Sequence, residues 1–171
     1  VDKGGGGSGR GDRPRSLSEG SGVERTLIIV KPDAVQRGLV GEVLRRLEQR
    51  GLRFVGLKLM KVDRALAERH YAEHRGKPFY EDLLAFITSG PVVVGVVEGP
   101  RAIEITRRTM GKTDPAQAEP GTIRGDLALT IGQNVIHGSD SPEKAAYEIG
   151  LFFQEDELVS YERAIDRWIM G

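Results

Sequence analysis

The run from Asn134 to Lys144, N-V-I-H-G-S-D-S-P-E-K, gathers more reactive chemistry than any other stretch of the chain. It places His137, one of only 3 histidines, in a glycine-serine loop. An ordinary histidine has a pKa of about 6.5, so much of it is neutral at pH 7 and one ring nitrogen can attack an electrophile. The other nitrogen then needs a partner that fixes the tautomer, and a carboxylate does this well. Glu148 stands on the following helix and can fold back to reach it. Ser141 is a good N-cap for that helix, Pro142 suits its first position, and Glu143 suits its positive end. Ala145, Ile149 and Phe152 fall at i, i+4 and i+7, so one side of the helix turns to a core. A helix N-terminus beside a histidine attracts phosphate. Gly138 lets the backbone turn sharply or pass close to a bulky group.

Positive charge supports a phosphate ligand. Lys31 sits at the end of an apolar run closed by Pro32, Arg107 and Arg108 end a helical stretch, and Arg124 lies in a Gly-Thr-Ile-Arg-Gly turn. Arginine's planar fork matches phosphate oxygens. Gly111-Lys112-Thr113 is a near miss to a phosphate-binding P-loop, which would need glycine where Thr106 stands. Any triphosphate must therefore be held by side chains. A rival pattern is His70-Tyr-Ala-Glu-His74, which fits the H-x-x-E-H zinc-hydrolase motif. On a helix its two histidines would share a face, as zinc ligation requires. No third ligand is evident, and a solvated polar helix face explains the same residues. A zinc hydrolase using His70, Glu73 and His74, and a non-catalytic nucleotide-binding or interaction protein, both remain open on the residues alone.

These groups need elements to position them. Thr26 to Val30 reads as a buried strand that Pro32 stops. Val40, Val43, Leu44 and Leu47 mark an amphipathic helix closed by Gly51. Leu52 to Val62 reads as a second strand, with Val55, Leu57 and Leu59 on one apolar face. Asp63 caps a helix expected to run to about His74, and a further helix follows Pro78. Val92 to Val97 reads as a central strand, and Gly99-Pro100 opens a helix to about Met110. Gly111 to Gly121, with two prolines, reads as a long surface loop of the kind that serves function or a chain contact. Short structure is expected over Leu127 to Ile131, a fourth strand near Asn134 to His137, and a closing helix over about Val159 to Trp168. Four strands with helices packed on them give an α+β sandwich. The pattern alone does not separate this from a doubly wound sheet.

The length of 171 residues suits one domain of ordinary size. Residues 1–22 read as a flexible glycine-rich tail or linker, and 23–171 as the folded domain. The Arg10-Gly11-Asp12 tripeptide in that tail is assigned no function. The chain has no cysteine, which removes disulfides and cysteine-zinc sites and is compatible with a reducing, cytoplasmic setting. The 25 basic residues balance the 25 acidic ones, against the basic excess of a dedicated nucleic-acid binder. No apolar run approaches the roughly 20 residues needed to span a bilayer, and no secretory signal is visible.

Taken with its neighbours, N-V-I-H-G-S-D-S resembles the active-site signature of nucleoside diphosphate kinases. The resemblance runs from about Val23 to the C-terminus. It includes E-R-T-L-I-I-V-K-P-D from Glu24, Q-R-G-L-V-G-E from Gln36, H-Y-A-E-H from His70, S-G-P-V-V from Ser89 and P-G-T-I-R-G-D from Pro120. Several motifs in order are far more specific than one. The resemblance implies a ferredoxin-like βαββαβ sandwich with a four-stranded antiparallel sheet. It also implies ping-pong transfer of a terminal phosphate between nucleotides through a phosphohistidine at His137. By the same resemblance Arg124 and Lys31 hold the moving phosphate, Arg107 and Thr113 the inner phosphates, and Tyr71 donates to the group in transit. Lys31 and Asn134 contact the ribose 3′-hydroxyl, Glu148 and Ser139 orient the imidazole, and Phe79 stacks on the base. A stack tolerates any base, so broad specificity is expected. Magnesium is expected to arrive with the nucleotide, with Asp140 near its water shell. Pro115 matches a subunit-contact segment, so a homo-oligomer is expected, a hexamer in preference to a tetramer. Ala34 departs from the glycine of many members.

Overall fold

The structure, a computed structural model, describes residues 22–171; the tail expected over residues 1–22, with its Arg10-Gly11-Asp12 tripeptide, lies outside the described residues except for Gly22. Four strands, β1 (Val23–Val30), β2 (Arg53–Met60), β3 (Val92–Pro100) and β4 (Ile136–Gly138), form one sheet in the order β2-β3-β1-β4. Every neighbouring pair is antiparallel. This is the ferredoxin-like arrangement. Its two crossover helices are α2 (Val40–Arg50) and α5 (Ala102–Met110).

Residue parity along the central strands divides the core in two. Ile28, Val30, Val93 and Val97 face α2, α5 and the short helix α1 (Pro32–Gln36). Leu27, Ile29, Val94 and Val96 face α3 (Arg64–His70), α4 (Tyr80–Ile87) and α7 (Pro142–Phe152). Gly138 is needed where β4 meets α5, since a Cβ there would lie 2.5 Å from the Met110 sulfur.

Four sequence expectations are corrected. The helix capped by Asp63 ends at His70, and Ala72–His74 forms a separate 3-10 turn. Arg124 lies in a five-residue helix, α6 (Ile123–Leu127), whose N-cap Thr122 accepts from the Gly125 N–H at 3.0 Å. In β2, a bulge between Phe54 and Gly56 resets the parity. Val55 is buried as expected, but Leu57 and Leu59 are thrown into solvent at 51% and 67% exposure. The closing helix shrinks to α8 (Asp166–Ile169). Partners on other elements compete with helical bonding there: Val159 N–H donates to the Val55 carbonyl at 2.7 Å and Tyr161 Oη to the Phe54 carbonyl at 2.6 Å.

Glu98 ties these pieces together from a nearly buried position on β3. Its carboxylate accepts from Arg25 Nε at 2.8 Å and Arg53 Nε at 2.9 Å, while Arg53 Nη1 reaches Asp166 Oδ2 at 2.8 Å. Burial alone would raise the Glu98 carboxyl, but the two guanidinium groups hold it below the usual range. Glu98→Gln leaves two arginines without their shared charge and should lower unfolding free energy by about 3 kcal/mol, the low end for a broken buried pair because Arg25 is partly in water. Because the folded pKa is depressed, the contribution of Glu98 is present above the ordinary carboxylate pKa and lost as pH falls through the folded value. Urea titration at pH 7 and at successively lower pH should therefore show a wild-type advantage that is full at neutral pH and shrinks as acid carries Glu98 through its depressed folded pKa.

Candidate active site

His137 is the middle residue of β4 and pairs with Ile29 of β1. It therefore points to the same side of the sheet as Ile29, toward α3 and α7, while Ile136 packs on the opposite core. The expectation of a loop histidine is refined to a strand position with a fixed direction. On α7, Ser141 caps the helix by accepting from the Lys144 N–H at 3.1 Å, and Ala145, Glu148 and Phe152 form its buried face. This brings the Glu148 carboxylate against the imidazole, with Oε2 2.6 Å from His137 Nε2.

Burial would raise the Glu148 carboxyl, but the hydrogen bond from His137, the nearby imidazoles and Ser139 hold it below the usual carboxylate range. The carboxylate is thus an acceptor, and Nε2 must carry the proton. Nδ1 makes no hydrogen bond among the described residues.

A cavity of about 240 Å³ opens beside this ring. That volume suits a phosphate chain, and a nucleoside would extend past its rim. Lys31, Arg107, Arg124, Tyr71, Thr113 and Asn134 all line it, so the structure gathers six of the predicted side chains around His137. Arg124 is buried and anchored by three backbone carbonyls: Nε to Asn134 at 3.2 Å, Nη1 to Gly111 at 3.1 Å and Nη2 to Ile136 at 2.6 Å. Burial and then Arg107 lower it to about 10, so it stays charged at pH 7. Arg107 Nη1 donates to the Gly138 carbonyl at 3.0 Å, next to the histidine. Lys31 Nζ donates to Asn134 Oδ1 at 2.7 Å, and Asn134 Nδ2 donates to the Thr113 carbonyl at 2.9 Å. Burial and then Arg124 lower Lys31 to about 8. Burial raises the Tyr71 phenol to about 12, with Glu148 adding to the shift, so it remains a proton donor. Ser139 is buried next to the histidine, although its hydroxyl has no fully formed hydrogen bond. Phe79 stands apart at 46% exposure, tilted against His74 at 5.6 Å between ring centres.

Two site residues, Lys144 and Asp33, carried no assigned role in the sequence reading, and His70 carried one only as a ligand in the rival zinc pattern. Lys144 pairs with Glu73 across the cavity mouth. His70 turns its ring edge to His137 at 4.7 Å between centres. Asp33 Oδ2 accepts the Val135 N–H at 3.1 Å, while the Lys31 N–H donates to the Val135 carbonyl at 2.9 Å. Val135 has φ of 76°, a conformation a β-branched residue resists. The two hydrogen bonds and complete burial hold that strained link between Asn134 and the histidine strand. No residue spacing signals such a pin.

The zinc-hydrolase pattern does not assemble. α3 ends at His70, so His70 and His74 lie on different elements, and Glu73 is taken by Lys144. Gly111 lies at the C-terminal end of α5 rather than between a strand and a helix, which also disposes of a P-loop.

A family-wide sequence profile, "Nucleoside diphosphate kinase", matches residues 24–158. The chain belongs to the nucleoside diphosphate kinase family. It is 96% identical over 149 residues to a nucleoside diphosphate kinase of Thermomicrobium roseum, covering 87% of this chain and 100% of that protein. It is 63% identical over 147 residues to one from Carboxydothermus hydrogenoformans, covering 86% of this chain and 99% of the relative. Among solved structures it is similar to a halophilic nucleoside diphosphate kinase from Halobacterium salinarum in complex with CDP, with a TM-score of 0.85 and 51% identity over 86% of this chain and 99% of the other. Family membership makes the chain a phosphotransferase.

Asp33→Ala should release Val135 and let the histidine strand drift. A shift near 1 Å at a reacting atom costs about 100-fold in turnover, so kcat should fall by about that factor with little change in melting temperature. Asp33→Asn, which keeps an acceptor, should recover most of the rate. Steady-state kinetics of the two variants decide it, and an unchanged rate in Asp33→Ala removes the pin.

Proposed function

We propose that this chain is a nucleoside diphosphate kinase that moves the terminal phosphate of a nucleoside triphosphate to a nucleoside diphosphate through His137. The observation that carries the assignment to His137 is its Nε2 contact with Glu148 at 2.6 Å. That bond leaves the Nδ1 lone pair beside a wall of fixed positive charge. Nδ1 attacks the terminal phosphorus, an N–P bond forms, and the P–O bond to the diphosphate breaks with its electron pair going to the leaving oxygen. The diphosphate departs, a second one enters the same cavity, and the steps run in reverse. Donor and acceptor therefore share one site, which gives ping-pong kinetics.

Phosphoryl transfer is mostly positioning and charge stabilisation. Arg124 and Lys31 neutralise the moving group, Arg107 and Thr113 hold the inner phosphates, and the Tyr71 O–H donates a hydrogen bond to the group in transit. Lys31 and Asn134 position the ribose 3′-hydroxyl. Glu148 fixes the imidazole tautomer, with Ser139 beside it. Phe79, exposed beside His74 of the cavity lining, stacks on any base. Of the carboxylates lining the cavity, Glu73 is held by Lys144 and Glu148 by His137, which leaves the exposed Asp140. A single free carboxylate fits magnesium carried by the nucleotide, an ion that keeps several waters and binds phosphates. When bound, the ion adds charge neutralisation on the phosphate oxygens.

The proposal extends to a homo-oligomer, a hexamer rather than a tetramer. Its support is the outer edge of β2, where Leu57 and Leu59 are exposed beyond the stretch that Val159 and Tyr161 cover. No described helix is long and apolar enough to cross a membrane. A cytoplasmic location is proposed because nucleoside triphosphates are made and spent there.

Incubation with γ-labelled ATP tests the reading. Wild-type protein should take up one acid-labile, base-stable label, and His137→Ala none. Glu148→Ala should cut kcat by about 100-fold or more, as for loss of a tautomer-fixing carboxylate, while KM for nucleotide changes little. Label that survives in His137→Ala, or a Glu148→Ala rate equal to wild type, overturns the assignment.

A further inference from the structure

Behind the cavity, a second imidazole adjoins the Glu148–His137 pair. His70 Nδ1 lies 3.2 Å from Glu148 Oε2, misaligned for a hydrogen bond, and both of its ring nitrogens are buried without a partner. Leaving such atoms unpaired in the interior is costly, and each one calls for an explanation. Neither the phosphate transfer nor the packing uses them. One ligand atom each from His70, His137 and Glu148 lie within 4.8 Å of one another, and the cavity reaches all three residues.

We infer that His70, His137 and Glu148 form a binding site for a zinc-type divalent ion, and that the ion switches the histidine nucleophile off. Two imidazoles and one carboxylate are a donor set for zinc, whereas magnesium prefers oxygen donors and its own waters. Tetrahedral ligands at zinc distances lie roughly 3.4 Å apart. The 3.2 Å separation of His70 from Glu148 already meets this, the 2.6 Å separation of His137 from Glu148 must open by less than an ångström, and the two imidazole nitrogens, within 4.8 Å of each other, must close by at most about 1.4 Å. A fourth position facing the cavity is left for water. The ion takes the Nε2 lone pair of His137 in place of its proton, and that proton moves through solvent to Nδ1. The ring stays neutral, but its lone pair toward the phosphate is gone. Zinc and the phosphoryl group are then mutually exclusive on one ring. The binding site stands on its own geometry, while the effect on turnover rests on the kinase reading.

The full chain has 3 histidines and no cysteine, so a zinc titration has few other sites to report. Chelator-treated protein without nucleotide should bind one zinc ion per chain by calorimetry and elemental analysis. His70→Asn and His70→Gln should each weaken that binding at least tenfold, and His74→Asn should not, with circular dichroism confirming that each variant is folded. Zinc should also slow labelling by magnesium-ATP, measured against each variant's own zinc-free rate, and tenfold more zinc should be needed in the His70 variants. Equal zinc affinity in wild type and both folded His70 variants overturns the site. Normal labelling of zinc-saturated wild type overturns the switch. Absence of label even without zinc counts against the kinase reading instead, and leaves the zinc titration to judge the site.

Discussion

The hydrogen bond from His137 to Glu148 is the constraint around which the rest of the molecule is arranged. A carboxylate taken out of water costs several kcal/mol unless it is well paired. Here the pairing requires β4 and α7 to meet at one register on one side of the sheet. The Ser141 cap sets where α7 begins, Ala145 and Phe152 set which face it buries, and the pairing of His137 with Ile29 sets where the ring points. A one-residue slip of β4 would send the imidazole to the other core, where Ile136 now sits. The fold and the tautomer of one ring are therefore fixed by the same contacts.

Much of this arrangement was legible in the residues. Helix α7 was fully signalled by its cap, its proline and its apolar spacing, and the central strands by their β-branched runs. The site side chains came chiefly from ordered motifs, since no spacing rule brings Lys31, Arg107, Arg124 and Asn134 together from four separate segments. What the residues did not show has a common cause. The β2 bulge, the short closing helix and the bond from Asp33 to Val135 all depend on partners distant in sequence. Alternation predicted a buried Leu57 and Leu59, and a single extra residue at the bulge reversed it. The H-x-x-E-H pattern assumed one continuous helix, and the break after His70 placed its two histidines in different surroundings.

The cationic wall shows why side chains can replace a glycine-rich cradle. Backbone N–H groups in a P-loop are rigid because the backbone itself is fixed. A guanidinium on a flexible stem is not, unless something holds it. Arg124 gives three of its five donors to carbonyls of Gly111, Asn134 and Ile136, which ties α6, the loop after α5 and the entry to β4 to one group. Its charge is thereby fixed in place, so that on the proposed reading little reorganisation is left for the reaction. The remaining two donors are free for an anion. Lys31 is treated likewise: Asn134 takes one of its three hydrogens, Asn134 is itself fixed by the Thr113 carbonyl, and the other hydrogens are left for ligand.

This anchoring also explains the strained backbone at Val135. Asn134 must turn back to meet Lys31, while Ile136 must enter the sheet beside Val30. One residue separates the two demands, and a tight γ-turn at Val135 meets both, closed by the Ile136 N–H donating to the Asn134 carbonyl at 2.9 Å. A glycine would adopt the turn without strain, but it would leave a hole in the core where the Val135 side chain is fully buried. The strain costs about 1–3 kcal/mol, a similar order to the packing that an aliphatic side chain of this size returns on burial. The chain therefore keeps valine and holds the turn from both sides, through Asp33 on the N–H and the Lys31 N–H on the carbonyl. Lys31 thus bears on His137 twice: its ammonium lines the cavity beside the ring, and its backbone holds the link on which the histidine strand depends.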